Sequence, residues 1–263
     1  MIKINDRQVD LKHFPDGTLL LKELAPDTEK VILSWFFENN EELVALYFLT
    51  KHLQAKGIPE IELKIPYIPN ARQDRVKAPE DVFTLKYFAQ MINELNFSKV
   101  TVLDPHSYVS EALIDHIDIQ TPKKYVEKVL TRIGADNVML FFPDEGAMKR
   151  YSTMFELPYA FGMKKRDWTT GQILGLEAAG QTEVIKGGTV LIVDDICSKG
   201  GTFYYSAKAL KELGAEKVYL YISHCENSIL EGELLKSNLV EKVFTTNSIF
   251  TKEHEKVEVF DYE

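Results

Sequence analysis

Val190 to Thr202 reads VLIVDDICSKGGT: an apolar run, two adjacent carboxylates, a short polar link, then paired glycines and a hydroxyl. The apolar run has the length and β-branched content of a buried strand. Gly200 and Gly201 permit backbone conformations closed to other residues, and Thr202 sits where a helix beginning near Phe203 exposes its first N–H groups. Together these features make an anion cradle of phosphate size. Asp194 and Asp195, side by side at the strand end, repel each other unless a partner offers hydroxyls or a cation, and the two hydroxyls of a ribose do the former. The stretch therefore reads as a site for a phosphorylated ribose, with Ser198, Lys199, Gly200, Gly201 and Thr202 around the phosphate. The plain alternative is a capped turn with solvated acids. Neither G-x-x-x-x-G-K-[ST] nor a G-x-G-x-x-G following a strand occurs, so the cradle is of another type than the common nucleotide fingerprints.

The same strand-then-loop grammar recurs outward from this stretch. Apolar runs at Val31–Phe37, Ile61–Ile65, Val100–Leu103, Val138–Phe142 and Val218–Ile222 predict buried strands. Apolar residues at three- and four-residue spacing predict helices over Glu41–Ala55, Leu85–Leu95, Tyr125–Ile133 and Tyr204–Leu213. Alternation of the two predicts an α/β fold, with mainly parallel sheets covered by helices. With 263 residues two domains are expected. The DHIDIQTPKK stretch breaks the pattern and places the boundary at about residue 120, giving domains 1–120 and 121–263. A return of the final segment to the first domain is the alternative topology.

Composition excludes several classes. A formal net charge of −9 is the wrong sign for a general nucleic-acid binder. No apolar run approaches a membrane span, and MIKINDRQVD has no signal-peptide character. Only Cys197 and Cys225 occur, which fits neither a zinc ribbon nor a disulfide framework and points to a reducing cytoplasm.

Ligands of parallel sheets bind beyond the carboxyl ends of the strands, and four loops there are unusual. PYIPNARQDR follows Ile65: Pro66 and Pro69 stiffen it, and its arginines suit a preorganised clamp for a polyphosphate. DPHS follows Leu103 and PDEG follows Phe142, placing His106 and Asp144 as partners for a hydrated divalent cation. The fourth is the cradle itself. The basic triplet Lys164–Lys165–Arg166 precedes WTTGQ, which reads as a mobile loop.

In this set and order of motifs the chain resembles the phosphoribosyl pyrophosphate synthetase (ribose-phosphate pyrophosphokinase) family, built from two domains of the type I phosphoribosyltransferase fold. The resemblance spans Phe14 to about His224. It implies that Arg72, Gln73, Asp74 and His106 hold ATP, that His106 and Asp144 serve Mg²⁺, and that Lys164 and Arg166 are the catalytic cations. It also implies, on the weaker match HFPDGT, that Phe14 stacks on adenine while Asp16 accepts from its amino group. The implied partners are ATP and a ribosyl phosphate, and homo-oligomerisation is expected.

The implied reaction is transfer of the β,γ-diphosphoryl group of ATP to the anomeric hydroxyl of ribose 5-phosphate, releasing AMP. The chain departs from the family pattern at three places. Ser198 and Lys199 stand where an acid and a threonine are usual, which suggests as the alternative a more anionic acceptor such as ADP-ribose. Thr18 replaces a glutamate, and both ends are short. A phosphoribosyltransferase, or a catalytically silent regulatory relative on the same fold, are the rival readings; the former leaves ARQDR without a task, and the latter is opposed by retention of the cations.

Overall fold

Two stretches of chain collapse around separate apolar cores, Met1–Thr121 and Pro122–Glu263. The computed structural model describes Met1 to Tyr262 apart from residues 24, 25, 27, 135, 136 and 167–172, and does not describe the side chains of 164–166 and 173–176.

The first unit runs β1 (Ile2–Ile4), β2 (Arg7–Gln8), β3 (Lys12–His13), β4 (Leu19–Leu20), β5 (Lys30–Trp35), α1 (Glu41–Ala55), β6 (Glu60–Lys64), α2 (Thr84–Glu94), β7 (Lys99–Leu103), α3 (Val109–Leu113) and β8 (Ile117–Gln120). Its sheet has the order β2-β1-β5-β6-β7-β8, with β5 to β8 parallel and β1 antiparallel to both neighbours. β3 and β4 form a ribbon of their own. α2 shows why helices form here: Leu85, Phe88, Ala89 and Ile92 recur on one face and are buried, the apolar stripe of a helix laid on a sheet.

The second unit continues with α4 (Lys123–Ile133), β9 (Val138–Phe142), α5 (Glu145–Tyr151), β10 (Tyr159–Arg166), β11 (Ile173–Gly180), β12 (Thr189–Cys197), α6 (Gly201–Glu212), β13 (Lys217–Cys225), β14 (Lys242–Thr246) and β15 (Val257–Phe260). Its sheet is ordered β11-β10-β9-β12-β13-β14-β15 and is parallel except for the β10–β11 hairpin. Every residue of β9 is buried, as are Val190 to Val193 of β12, so both faces of these central strands are covered, which is why they read as continuous apolar runs rather than alternating ones.

The sequence-predicted α/β architecture with parallel-rich sheets is the one observed. The differences have local causes. The DHIDIQ stretch read as a break contains β8, a short strand with polar positions at the sheet edge. The first residues hold an unforeseen hairpin, turned by Asn5 and Asp6 at φ 45° and 65°, the left-handed pair that such turns require. The final segment does not return to the first unit: β15 pairs with β14, and Phe260 stacks on Phe244 with centroids 6.0 Å apart.

One buried polar group organises the first unit. Glu42, 1% exposed on α1, accepts from Trp35 Nε1 at 2.9 Å and from the Glu38 N–H at 2.8 Å, and meets the amino group of Met1. Glu42→Ala strands these donors inside the protein and is expected to destabilise the first unit by about 3 kcal/mol, read as a lowered midpoint of chemical unfolding.

Candidate functional site

In the first unit the strand-end loops are tied to each other by side chains from the predicted motifs. Asp74 is gripped by Arg75, whose Nε and Nη2 donate to its two oxygens at 2.7 and 2.8 Å, and it accepts from Ser107 Oγ at 2.7 Å. Arg75 first, and Ser107 after it, hold the Asp74 carboxyl well below the usual carboxylate range. Thr84 Oγ1, at the head of α2, donates to Gln73 Oε1 at 2.9 Å. The loop after β6 and the loop after β7 are thereby locked together. Arg72 to Arg75, with Lys77 and Asp81, line a recess of about 140 Å³. Arg72 and His106 are exposed, whereas Asp104, at φ 40°, is buried. Of the two arginines read as a clamp, Arg75 is committed to an internal carboxylate. Ser107 was missed, although it lies in the DPHS motif; its role needs the fold, which brings it to Asp74.

Phe14 and Asp16 belong to the turn between β3 and β4. Phe14 is 48% exposed. Asp16 Oδ1 accepts from the Thr18 N–H at 3.0 Å and from the Thr18 hydroxyl at 2.7 Å, and these two donors, in that order, lower its carboxyl below the ordinary value. The threonine that departs from the family pattern is thus a partner of Asp16 within the turn.

In the second unit the carboxyl edge of the sheet gathers most of the other predicted residues. β12 is longer than its apolar run, so Asp194 and Asp195 lie in the strand, which extends to Cys197 because β13 accompanies it. Ile192 pairs with Phe141 of β9, where the pairing of the two strands ends, and Asp195 and Asp144 each lie three residues beyond those partners. Lys164 and Arg166 continue β10 beyond Phe161, the last residue paired with β9; their side chains, and the WTTGQ stretch at 168–172, lie outside the described residues.

The acid pair is stabilised by a cation that sequence reasoning missed. Arg150 Nη1 donates to Asp195 Oδ2 at 2.8 Å, with both side chains largely buried, at 15% and 6% exposure. Asp194 Oδ1 accepts from the Asp195 N–H at 3.0 Å. Asp144 caps α5, its Oδ1 accepting from the Ala147 N–H at 3.0 Å, which is the ordinary use of an acid at that position.

The cradle itself is closer-fitting than its letters indicate. α6 starts at Gly201, ahead of the helix expected over Tyr204–Leu213, with Gly200 as its N-cap at φ 79° and no side chain capping the helix end. Only Gly200 needs to be glycine for its backbone; Gly201 has ordinary φ and open space where a Cβ would stand. A Cβ on Gly200 would lie 3.2 Å from Leu234, and one on Gly232 would run into the Lys199 carbonyl. The segment around Leu234 therefore forms the rear wall of the loop. Lys199 Nζ meets Glu231 at 3.1 Å on the surface, so the added charge at this position is matched by a carboxylate. Cys197 and Cys225, distant in sequence, are register partners at the base of the loop, both buried and unoxidised.

Among the described residues no cluster of three or more metal-ligating side chains gathers. His106, in the first unit, and Asp144, in the second, are both exposed. No helix is long and apolar enough to cross a membrane.

Gly200→Ala is expected to destabilise the second unit by about 1–2 kcal/mol, from the left-handed φ alone, with the approach to Leu234 adding to it; Gly201→Ala is expected to be nearly neutral, both read from unfolding midpoints.

Comparison with known proteins agrees with this geometry. A phosphoribosyl transferase domain matches residues 148–260, the stretch that contains Arg150, the acid pair and the cradle. The ribose-phosphate pyrophosphokinase of Thermococcus kodakarensis is 28% identical over 93% of this chain and 86% of its own. That of Pyrococcus furiosus is 29% identical over 92% and 86%. The crystal structure of phosphoribosylpyrophosphate synthetase from Mycobacterium smegmatis superposes with a TM-score of 0.78 at 19% identity, covering 97% of this chain and 86% of that one, a likeness of fold. The chain is thus similar over most of its length to ribose-phosphate pyrophosphokinases, and its fold is like that of phosphoribosylpyrophosphate synthetase.

Proposed function

We propose that the protein transfers the β,γ-diphosphoryl group of ATP to the anomeric hydroxyl of ribose 5-phosphate, releasing AMP. The observation that carries this reading is the loop from Ser198 to Thr202. It sets a left-handed glycine and a helix start without a side-chain cap directly behind an acid pair, and so offers N–H groups to a phosphate and carboxylates to the ribose hydroxyls. The names of relatives similar over most of the chain support it.

In this reaction the anomeric oxygen attacks the β-phosphorus, the bond from that phosphorus to the α–β bridging oxygen breaks, and AMP leaves with the bridging oxygen while the hydroxyl proton passes to solvent. No nucleophilic side chain is required, and catalysis rests on positioning and charge. Arg72 and Gln73 hold the nucleotide on the loop that Asp74 braces, with Phe14 and Asp16 toward its base. Asp194 and Asp195 meet the sugar hydroxyls and Ser198 to Thr202 the 5-phosphate. Lys164 and Arg166 stabilise the charge that builds on the transferring group. His106 and Asp144 are the residues that would attend Mg²⁺, which when bound neutralises phosphate charge.

A larger ribosyl phosphate such as ADP-ribose is the second reading, favoured by Ser198 and Lys199. The Lys199–Glu231 pair is exposed on both sides, and such pairs are worth at most about 1 kcal/mol, so the ammonium is exchangeable with a ligand phosphate.

Incubation of the protein with ATP, Mg²⁺ and either ribose 5-phosphate or ADP-ribose, without a nucleobase, should release AMP and yield an acceptor heavier by a diphosphate. Which acceptor gains the mass chooses between the two readings, and absence of AMP with both would overturn them. In the active pairing, Lys164→Ala should lower kcat by about 100-fold or more with little change in KM; unchanged turnover would remove Lys164 from the mechanism.

A further inference from the structure

We infer that Arg150 is a positioning residue for the acceptor site, acting through Asp195. The inference rests on the reading of the acid pair as the ribose-holding group. Arg150 is the last basic residue of α5, the helix that Asp144 caps, and its guanidinium reaches across to the middle of the acidic segment of β12, 2.8 Å from Asp195 Oδ2. The helix is seated by Tyr151, fully buried and packed on Phe142 of β9 with ring centroids 6.2 Å apart, and the Arg150 guanidinium lies 5.7 Å from the Tyr151 ring centroid.

Three consequences follow from this placement. Asp195 is 4% exposed, and a buried carboxylate keeps its charge and orientation only beside a cation or hydrogen-bond donors. A guanidinium is fixed in protonation and planar in its donors, so it sets the direction of the carboxylate more closely than an ammonium does. Finally, the Asp195 N–H donates to Asp194 Oδ1, so the backbone whose side chain Arg150 pins also orients the neighbouring acid. Arg150 thereby fixes the geometry of both carboxylates presented to the sugar, and it ties the Asp144-capped helix to the strand that leads into the cradle. Its effect belongs to acceptor binding and not to Arg72, Gln73, Phe14 and Asp16, the residues assigned to the body of the nucleotide, which are in the first unit.

The test compares wild type, Arg150→Met, Arg150→Lys, Asp195→Asn and the double variant Arg150→Met/Asp195→Asn. Dissociation constants for ribose 5-phosphate, for ADP-ribose and, separately, for MgATP are measured by calorimetry, with kcat and acceptor KM wherever AMP is released. Arg150→Met should weaken binding of the accepted ribosyl phosphate at least tenfold, about 1.4 kcal/mol, raise its KM more than it lowers kcat, and leave MgATP binding unchanged. Arg150→Lys should recover part of the loss. The double variant, which removes the stranded charge and folds if the single variant does not, should bind the acceptor no worse than Asp195→Asn alone, as expected of residues acting as one unit. Acceptor affinity unchanged in Arg150→Met, equal losses for acceptor and nucleotide, or additive losses in the double variant would each overturn the assignment. A wild type that binds a ribosyl phosphate but releases no AMP would overturn the proposed reaction while leaving the role of Arg150 to the binding data. A wild type that binds neither ribosyl phosphate overturns both.

Discussion

Backbone hydrogen bonding between β12 and its neighbours β9 and β13 is the constraint from which the second unit takes its shape. A parallel strand buried on both faces has no solvent to satisfy its N–H and C=O groups, so its register must be met on each side. Pairing of Val190 with Met139 and with Val218 fixes where the strands end, and the strand ends fix the chemistry. Asp144 and Asp195 each stand three residues beyond the last paired residues of β9 and β12. The cradle follows where β12 stops, and the left-handed Gly200 turns the chain there into α6.

The charges at this edge are handled differently according to depth. Asp195 is buried and has a guanidinium, as a carboxylate removed from water requires. Lys199 and Glu231 pair in solvent, where neither needs the other to be tolerated. In the first unit, Asp74 carries Arg75 and Ser107 on the same carboxylate, which makes this acid a brace between two loops. A motif rich in charge thus contains both groups turned inward to hold the scaffold and groups left exposed to solvent. Spacing alone does not separate the two.

Legibility of the sequence followed burial. Val138–Phe142 and Glu41–Ala55 were read to the residue because a doubly covered strand is continuously apolar and a long helix repeats its pattern. The edge elements β2 and β8 were not, since a strand with one neighbour or a wet face has no comparable signature. The cradle was visible through its glycines, yet the need for glycine at Gly200 and the freedom at Gly201 are backbone properties that the letters do not carry. Arg150 and Ser107 act on residues far away in the chain, so no local pattern marks them. The ring stack of Phe244 on Phe260, which holds the last strand in place, is of the same kind.

The close approach of Gly232 to the Lys199 carbonyl bears on how such a loop can change over evolutionary time. At Gly232 the rear wall is main chain from a remote segment with no side chain to trim, while Leu234 closes on Gly200 with its side chain, so Ser198 and Lys199 can vary at their outward atoms while the path of the loop cannot. The outer surface of the cradle is then free to drift by exchanging side chains on a contour that two distant glycines inherit together.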